Sequence, residues 1–222
     1  MRALIIGDTG GIGSAVKRCI EAEPQWTEVI GLSRSQNGLD LARPETITEV
    51  LSRQEPPFHF VFVTTGVLDG AGQPPEKALR YLTAEAMAAQ FTLNCIGPAL
   101  ILQQAIRLFP RNERTVFAAL SARVGSIGDN RKGGWYSYRA AKAALNQVLH
   151  TGAIELSRTH RQSICVALHP GTVATRFTKD YQDRFDTVSP DQAAANLLAV
   201  IEGLSPADTG GFFDWSGAPI PW

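Results

Sequence analysis

Two side chains in this sequence are spaced to exchange a proton. Tyr138 and Lys142 stand four residues apart, so on a helix they share one face, a turn from each other. A free phenol titrates at about 10 and is a poor acid and a poor base near neutrality. An ammonium beside it favours the phenolate and eases the exchange. Tyr136 has no such partner, because four residues on it meets Ala140. Residues 7–13 suit phosphate binding instead. They read Gly-Asp-Thr-Gly-Gly-Ile-Gly, after the apolar run Ala3 to Ile6 and before a helix-length segment. Glycines serve such a turn by taking unusual dihedrals and letting backbone approach a pyrophosphate closely. The helix that follows offers unpaired N–H groups and a partial positive charge to phosphates. A dinucleotide cradle and a proton-exchanging pair are the two requirements of hydride transfer to or from a carbonyl carbon.

The elements that must position these residues follow from the alternation of short apolar runs with helix-length amphipathic stretches. That pattern predicts repeated βαβ units, a doubly wound parallel sheet and an α/β fold with helices on both faces. Strands are expected at residues 3–6, 28–33, 58–64, 115–120, 164–168 and 211–215, with a very short one at Leu39-Asp40-Leu41. Helices are expected at 12–23, 44–54, 83–108 and 135–158, and after an N-cap at Ser189. Pro44 suits a first helical turn, whereas Pro98 lies inside the long helix and should kink or divide it. The segment from Val67 to Pro75 reads as a polar loop.

Composition narrows the function classes. The chain has 222 residues, 44% of them hydrophobic and 19% charged, with 21 basic residues against 21 acidic. This is enough chain for one substantial core and one domain. A neutral balance argues against nucleic acid or an anionic membrane as the main partner. No uninterrupted apolar stretch of about 18 residues is present, and no signal-peptide pattern opens the sequence, so a soluble, cytoplasmic protein is expected. Cys19, Cys95 and Cys165 are odd in number and far apart, which suits neither a disulfide framework nor a metal cluster. His59, His150, His160 and His169 lack metal-ligand spacing, and no metal is expected.

The spacing Gly7-xxx-Gly11-x-Gly13 resembles that of the short-chain dehydrogenase/reductase family. Further matches follow in order along nearly the whole chain: Asp40, Thr64-Thr65-Gly66, Asn94-xx-Gly97, Ser121, Tyr138-xxx-Lys142 and Pro170-Gly171-x-Val173-x-Thr175. The stretches Leu120 to Ile127, Gly133 to Arg139 and Phe212 to Gly217 look like its C-factor and sniffer-type carbonyl reductase branch. The resemblance implies a Rossmann-type domain with a short substrate lid at about 176–189. It implies Tyr138 as acid/base, Lys142 on the nicotinamide ribose, and Asn94 holding a water on the proton path. Ser121 would stabilise charge on the substrate oxygen. Many relatives end this strand with two serines, the second catalytic. Here Ala122 follows Ser121, so a one-residue shift is needed to restore the serine, and Ser126 is a substitute.

The cofactor contacts implied are the turn residues Gly7, Thr9, Gly10, Gly11, Ile12 and Gly13, with Asp40 and Leu41 at the adenine edge. Thr65 and Gly66 would lie along the adenosine ribose, although Thr64-Thr65-Gly66 departs from the usual Asn-Asn-Ala-Gly. Pro170, Gly171, Val173 and Thr175 would receive the carboxamide. An acid at the end of the second strand would select NAD by bonding the ribose 2′-hydroxyl. Ser33 and Arg34 stand there instead and suit a phosphate, so NADP(H) is favoured over NAD(H), with Asp8 as a counter-indication. A permissive cleft for aldehydes, ketones or quinones is expected. Phe177, Tyr181 and Phe185 either line it or pack the lid down. Ala-rich helix faces such as Ala140-Ala141 and Ala143-Ala144 suit a homodimer or homotetramer. A dinucleotide-binding signalling protein with little turnover is the alternative to an NADP(H)-dependent carbonyl reductase.

Overall fold

The computed structural model describes residues 1–179 and 186–222. Its strands are β1 (Arg2–Ile6), β2 (Glu28–Leu32), β3 (Phe60–Val63), β4 (Thr115–Leu120), β5 (Ser163–His169) and β6 (Phe212–Asp214). They form one six-stranded sheet in the order β2-β1-β3-β4-β5-β6, and every neighbouring pair is parallel. All residues of β3 and β4 are buried. That is why these strands read as continuous apolar runs: a parallel sheet is covered on both faces.

Side chains alternate between two cores. Leu4, Ile6, Val61, Val63, Phe117 and Ala119 point to one face. Ala3, Ile5, Phe60, Phe62, Val116 and Ala118 point to the other. The first core is closed by α3 (Pro44–Ser52), α5 (Gly97–Ala105) and α6 (Tyr136–Thr159), through Ile47, Ile101 and Leu145 among others. The second is closed by α1 (Gly11–Glu21) and α7 (Pro190–Gly203), through Val16 and Leu197. A short helix α2 (Arg34–Asn37) follows β2. Ser189 caps α7 by accepting from Gln192 N at 3.1 Å, and Pro44 opens α3.

One expectation is corrected and one is sharpened. No strand forms at 39–41: Leu39 and Leu41 are buried in the first core while Asp40 turns the chain into α3. The apolar-polar-apolar triplet marks an anchored loop here rather than a pleat. The long helix is divided, but the break precedes Pro98. Helix α4 (Ala84–Phe91), capped by Thr83, runs into a π-helical turn over Thr92–Ile96, and α5 begins at Gly97. The wider turn absorbs the proline without ending the helical path. By length and composition, the stretch Ala84–Leu108 is apolar enough to cross a membrane. Here it buries Ile101, Leu102 and Ala105 in the core.

Gly97 is where α5 meets the Leu41 loop. A Cβ there would lie 2.7 Å from Leu41 Cγ. Gly97→Ala should therefore destabilise the fold by about 1–2 kcal/mol, overpacking outweighing the gain in helix propensity. A urea midpoint unchanged or raised would refute that contact.

Candidate functional site

The strand order reverses direction between β1 and β3, and in open α/β sheets ligands bind at the carboxyl ends of the strands beside such a switch. The glycine turn lies there. Gly7 has φ +89°, and a Cβ on it would come 2.8 Å from Thr65 Cγ2. A Cβ on Gly13 would lie 2.3 Å from Gly7 O and 2.4 Å from Thr64 Oγ1. The turn is thus pressed against the end of β3. Helix α1 begins with Gly10 as N-cap, no side-chain cap bond and no acid in its first turn. Its first N–H groups therefore have no anionic side chain to satisfy them. Thr9, Gly10 and Gly11 are exposed, while Ile12 is half-buried.

Three polar atoms around this turn are buried without a hydrogen-bond partner: Asp8 Oδ1 after β1, Ser33 Oγ after β2 and Thr65 Oγ1 after β3. Buried polar groups are normally paired, so a cluster of orphans around a side-chain-free cradle fits a polar ligand. Arg34 opens α2 and is exposed. Asp40 folds back on its own turn, accepting from Ala42 N at 3.0 Å and lying 3.5 Å from Arg43 Nε. Leu41 packs its side chain into the core against α5. The Pro170 loop reaches the same place from β5. Gly171 has φ +76°, Val173 pairs with Val188, and Thr175 Cγ2 would lie 2.7 Å from a Cβ on Gly11. Sequence-distant motifs therefore converge on the glycine turn.

Helix α6 supplies the proton-exchanging pair. Both Tyr138 and Lys142 are buried on its inner face. The Tyr138 ring lies 6.2 Å from Phe177 and 6.2 Å from Trp135, centroid to centroid. Lys142 Nζ is 5.9 Å from the Tyr138 ring centroid and donates to Leu120 O at 2.8 Å. A Cβ on Gly66 would meet Asn94 Oδ1 at 3.1 Å, and Lys142 Nζ and Phe177 at 3.8 Å each. Asn94, Gly66, Lys142 and Phe177 therefore crowd one point. Asn94 sits in the π turn and pins the Val67 backbone, donating to its carbonyl at 2.8 Å and accepting from its N–H at 3.1 Å. Tyr181 and Phe185 lie outside the described residues.

Burial governs both titrations. It pushes the Tyr138 phenol above its ordinary value, so the hydroxyl keeps its proton through the neutral range. It pulls the Lys142 ammonium down to about 7, opposed in part by the Cys95 sulfur. Spacing alone points to the ammonium's pull on the phenol; in the folded chain the phenol shifts the other way, by desolvation.

Neither serine hydroxyl is directed at Tyr138. Ser121 Oγ donates to Asn146 Oδ1 at 2.6 Å, and Ser126 Oγ donates to Pro221 O at 2.5 Å. Several site residues are missed by reasoning from the sequence. Asn146 lies four residues beyond Lys142, and Gln90, bonded to Asn94, lies four before it; the helical spacing that reveals Tyr138 and Lys142 could have revealed both. Glu76, a buried carboxylate from the loop before α4, accepts from Ser137 N at 3.2 Å and from Ser137 Oγ. Its backbone carbonyl accepts from Trp135 N at 2.6 Å. It steadies the turn of helix that carries Tyr138, and no local spacing signals it. Among the described residues, no group of three or more His, Cys, Asp and Glu side chains gathers to hold a metal.

A family model described as enoyl-(acyl carrier protein) reductase matches residues 39–205. A 1-hydroxy-2-glutathionyl-2-methyl-3-butene dehydrogenase from a Rhodococcus species is 33% identical over 83% of this chain and 79% of its own length. The chain belongs to the short-chain dehydrogenase/reductase family. C-signal of Myxococcus xanthus is 33% identical over 61% of this chain and 78% of its own length. The fold matches the carbonyl reductase Sniffer of D. melanogaster with a TM-score of 0.84 at 20% identity, covering 100% of this chain and 99% of that one. An NADPH-bound carbonyl reductase from chicken fatty liver gives 0.84 at 20% identity, covering 100% and 94%. In this short-chain dehydrogenase/reductase, then, the sequence motifs occupy one end of a six-stranded parallel sheet.

The buried lysine has a cost that varies with pH. Below about 7 the folded chain must hold a desolvated ammonium that the unfolded chain keeps in water. Between there and the ordinary lysine value the folded form is neutral, and the penalty shrinks as pH rises. Lys142→Met should therefore raise the melting temperature more at pH 6 than at pH 9. An equal or larger gain at pH 9 would show that the ammonium is not penalised.

Proposed function

We propose that the chain is an NADP(H)-dependent reductase of small carbonyl compounds, with Tyr138 as the proton donor. The observation that carries this reading is the placement of Tyr138 and Lys142 on one buried helix face, beside the same strand ends that bear the glycine cradle. A nicotinamide cofactor, when bound, supplies the hydride. Gly7, Thr9, Gly10, Gly11, Ile12 and Gly13 would hold its pyrophosphate, and Thr65 and Gly66 its adenosine ribose. Ser33 and Arg34 would meet a 2′-phosphate, which is the basis for favouring NADP(H). Pro170, Gly171, Val173 and Thr175 would hold the carboxamide.

Tyr138 gives its proton to the substrate oxygen as that oxygen gains negative charge. A phenol raised by burial is protonated at neutral pH and ready for this direction. Lys142, titrating at about 7, would hold a ribose hydroxyl of the cofactor and could return a proton toward the phenol. Asn94 keeps the Gly66 loop in place beside it, and by the family resemblance a water on that path would sit at this residue. Phe177 and Trp135 wall the phenol with apolar surface, which strengthens electrostatic contacts at the reacting oxygen. Neither serine is essential to this account, since both hydroxyls already donate within the protein.

Exposed Ile96 and Ile154 lie on the helical surfaces that would pair subunits, and a homodimer or homotetramer through α5 and α6 belongs to the proposal. A second reading, a dinucleotide-binding regulator with little turnover, is favoured by one observation: Ala122 stands where many relatives place the catalytic serine, and Ser121 is held by Asn146. Binding of NADPH without turnover across a carbonyl panel would select it.

Tyr138→Phe should keep NADPH binding, read by fluorescence titration, and lower reduction of a reactive dicarbonyl or quinone by about 10²-fold or more. Undiminished turnover would remove Tyr138 as proton donor. Ser121→Ala should cost much less, within about tenfold, because its proton is already given to Asn146. A loss matching that of Tyr138→Phe would return the serine to the oxygen-binding role, where one donor is worth about 10²–10³.

A further inference from the structure

Asp8 is the charged side chain of the glycine turn, and it is buried. It is only 8% exposed, and its Oδ1 has no hydrogen-bond partner. The side chain lies across β2: a Cβ on Gly31 would come 1.9 Å from Asp8 Oδ2, so only glycine leaves room for it there. It therefore extends from the end of β1 toward the end of β2, where Ser33, 4% exposed, also holds an unpartnered Oγ. Removing a carboxylate from water without donors is costly. A ligand bringing hydroxyl donors would satisfy the orphan oxygen.

On the dinucleotide reading proposed above, the group delivered to the ends of β1 and β2 is the adenosine ribose. We infer that Asp8 is a specificity-determining residue whose carboxylate accepts a hydroxyl of that ribose. The acid arrives from the glycine turn rather than from the end of β2. Arg34, exposed at the start of α2, would attract a 2′-phosphate, whereas Asp8 would repel it. The two residues pull in opposite directions. Asp8 therefore narrows the preference for NADP(H) that Arg34 and Ser33 create, and the margin over NADH is set by this pair.

The test is fluorescence titration of the purified full chain with NADH and with NADPH, which reads binding without turnover. Asp8→Asn preserves the volume over Gly31 and removes the charge. It should tighten NADPH and weaken NADH, moving the ratio of their dissociation constants by about tenfold or more toward NADPH, the size expected for one like-charge contact. Arg34→Ala should move the ratio the other way. Should Asp8→Asn fail to fold by circular dichroism, Asp8→Ala reads the same ratio with the carboxylate absent. A wild-type chain that binds both dinucleotides with a ratio insensitive to Asp8 overturns this inference and leaves the cofactor reading standing. Wild type binding neither dinucleotide overturns the cofactor reading itself, and this inference with it.

Discussion

The structure depends on how closely three strand ends approach one another. The glycine turn after β1 is pressed onto Thr64 and Thr65 after β3, and the loop after β5 brings Thr175 onto Gly11. No side chain can intervene at these contacts, since a Cβ on Gly13 would fall within 2.4 Å of two neighbours. This closeness lets backbone N–H groups face a ligand directly. It also fixes where α1 starts, and with it the packing of α1 against α7 and the second core. Specificity for the fold and capacity for the ligand come from the same missing methyl groups.

Around that constraint the molecule gathers three unpaired polar atoms at the cradle, with two more at Asn146 Nδ2 and His169 Nδ1, and pairs the Asn94 amide and the Ser121 hydroxyl opposite. Asp8, Ser33 and Thr65 hold orphan atoms at the cradle. On the other side of the cleft, Asn94 is bound to both the Val67 backbone and Gln90, and Ser121 to Asn146. The first set is shaped for something the chain does not itself supply. The second set ties the π turn to the Val67 loop and the end of β4 to α6. A rigid wall opposite an unsatisfied one is the arrangement expected of a preorganised site.

Much of this was legible in the sequence because it depends on local periodicity. Apolar runs flanking helix-length segments marked all six strands, and the i, i+4 relation put Tyr138 and Lys142 on one face. The sequence is ambiguous where a local pattern has two physical solutions. Leu39-Asp40-Leu41 alternates as a strand does, yet two leucines anchoring a loop into the core alternate identically. The motif positions say nothing of which way a hydroxyl donates, so Ser121's bond to Asn146 was hidden although Asn146 itself lies at readable spacing. Glu76 reaches α6 from a loop about sixty residues earlier in the chain, a contact made by tertiary packing alone. The reversal in the balance of forces on Tyr138 has the same origin: proximity to an ammonium is visible in spacing, whereas depth of burial is a property of the assembled layers.

The π turn at Thr92–Ile96 has a consequence for helical phase. A turn holding one extra residue offsets the downstream face by about 100° relative to an uninterrupted α-helix. The chain uses that offset to aim Asn94 at the Val67 backbone while Ile101, Leu102 and Ala105 stay in the core. Excising a single residue from this turn would leave both flanking helices intact in composition yet rotate one against the other. The amide and the apolar stripe could then no longer face their partners together. Natural length variation should accordingly be rarer in this short segment than its ordinary residues suggest.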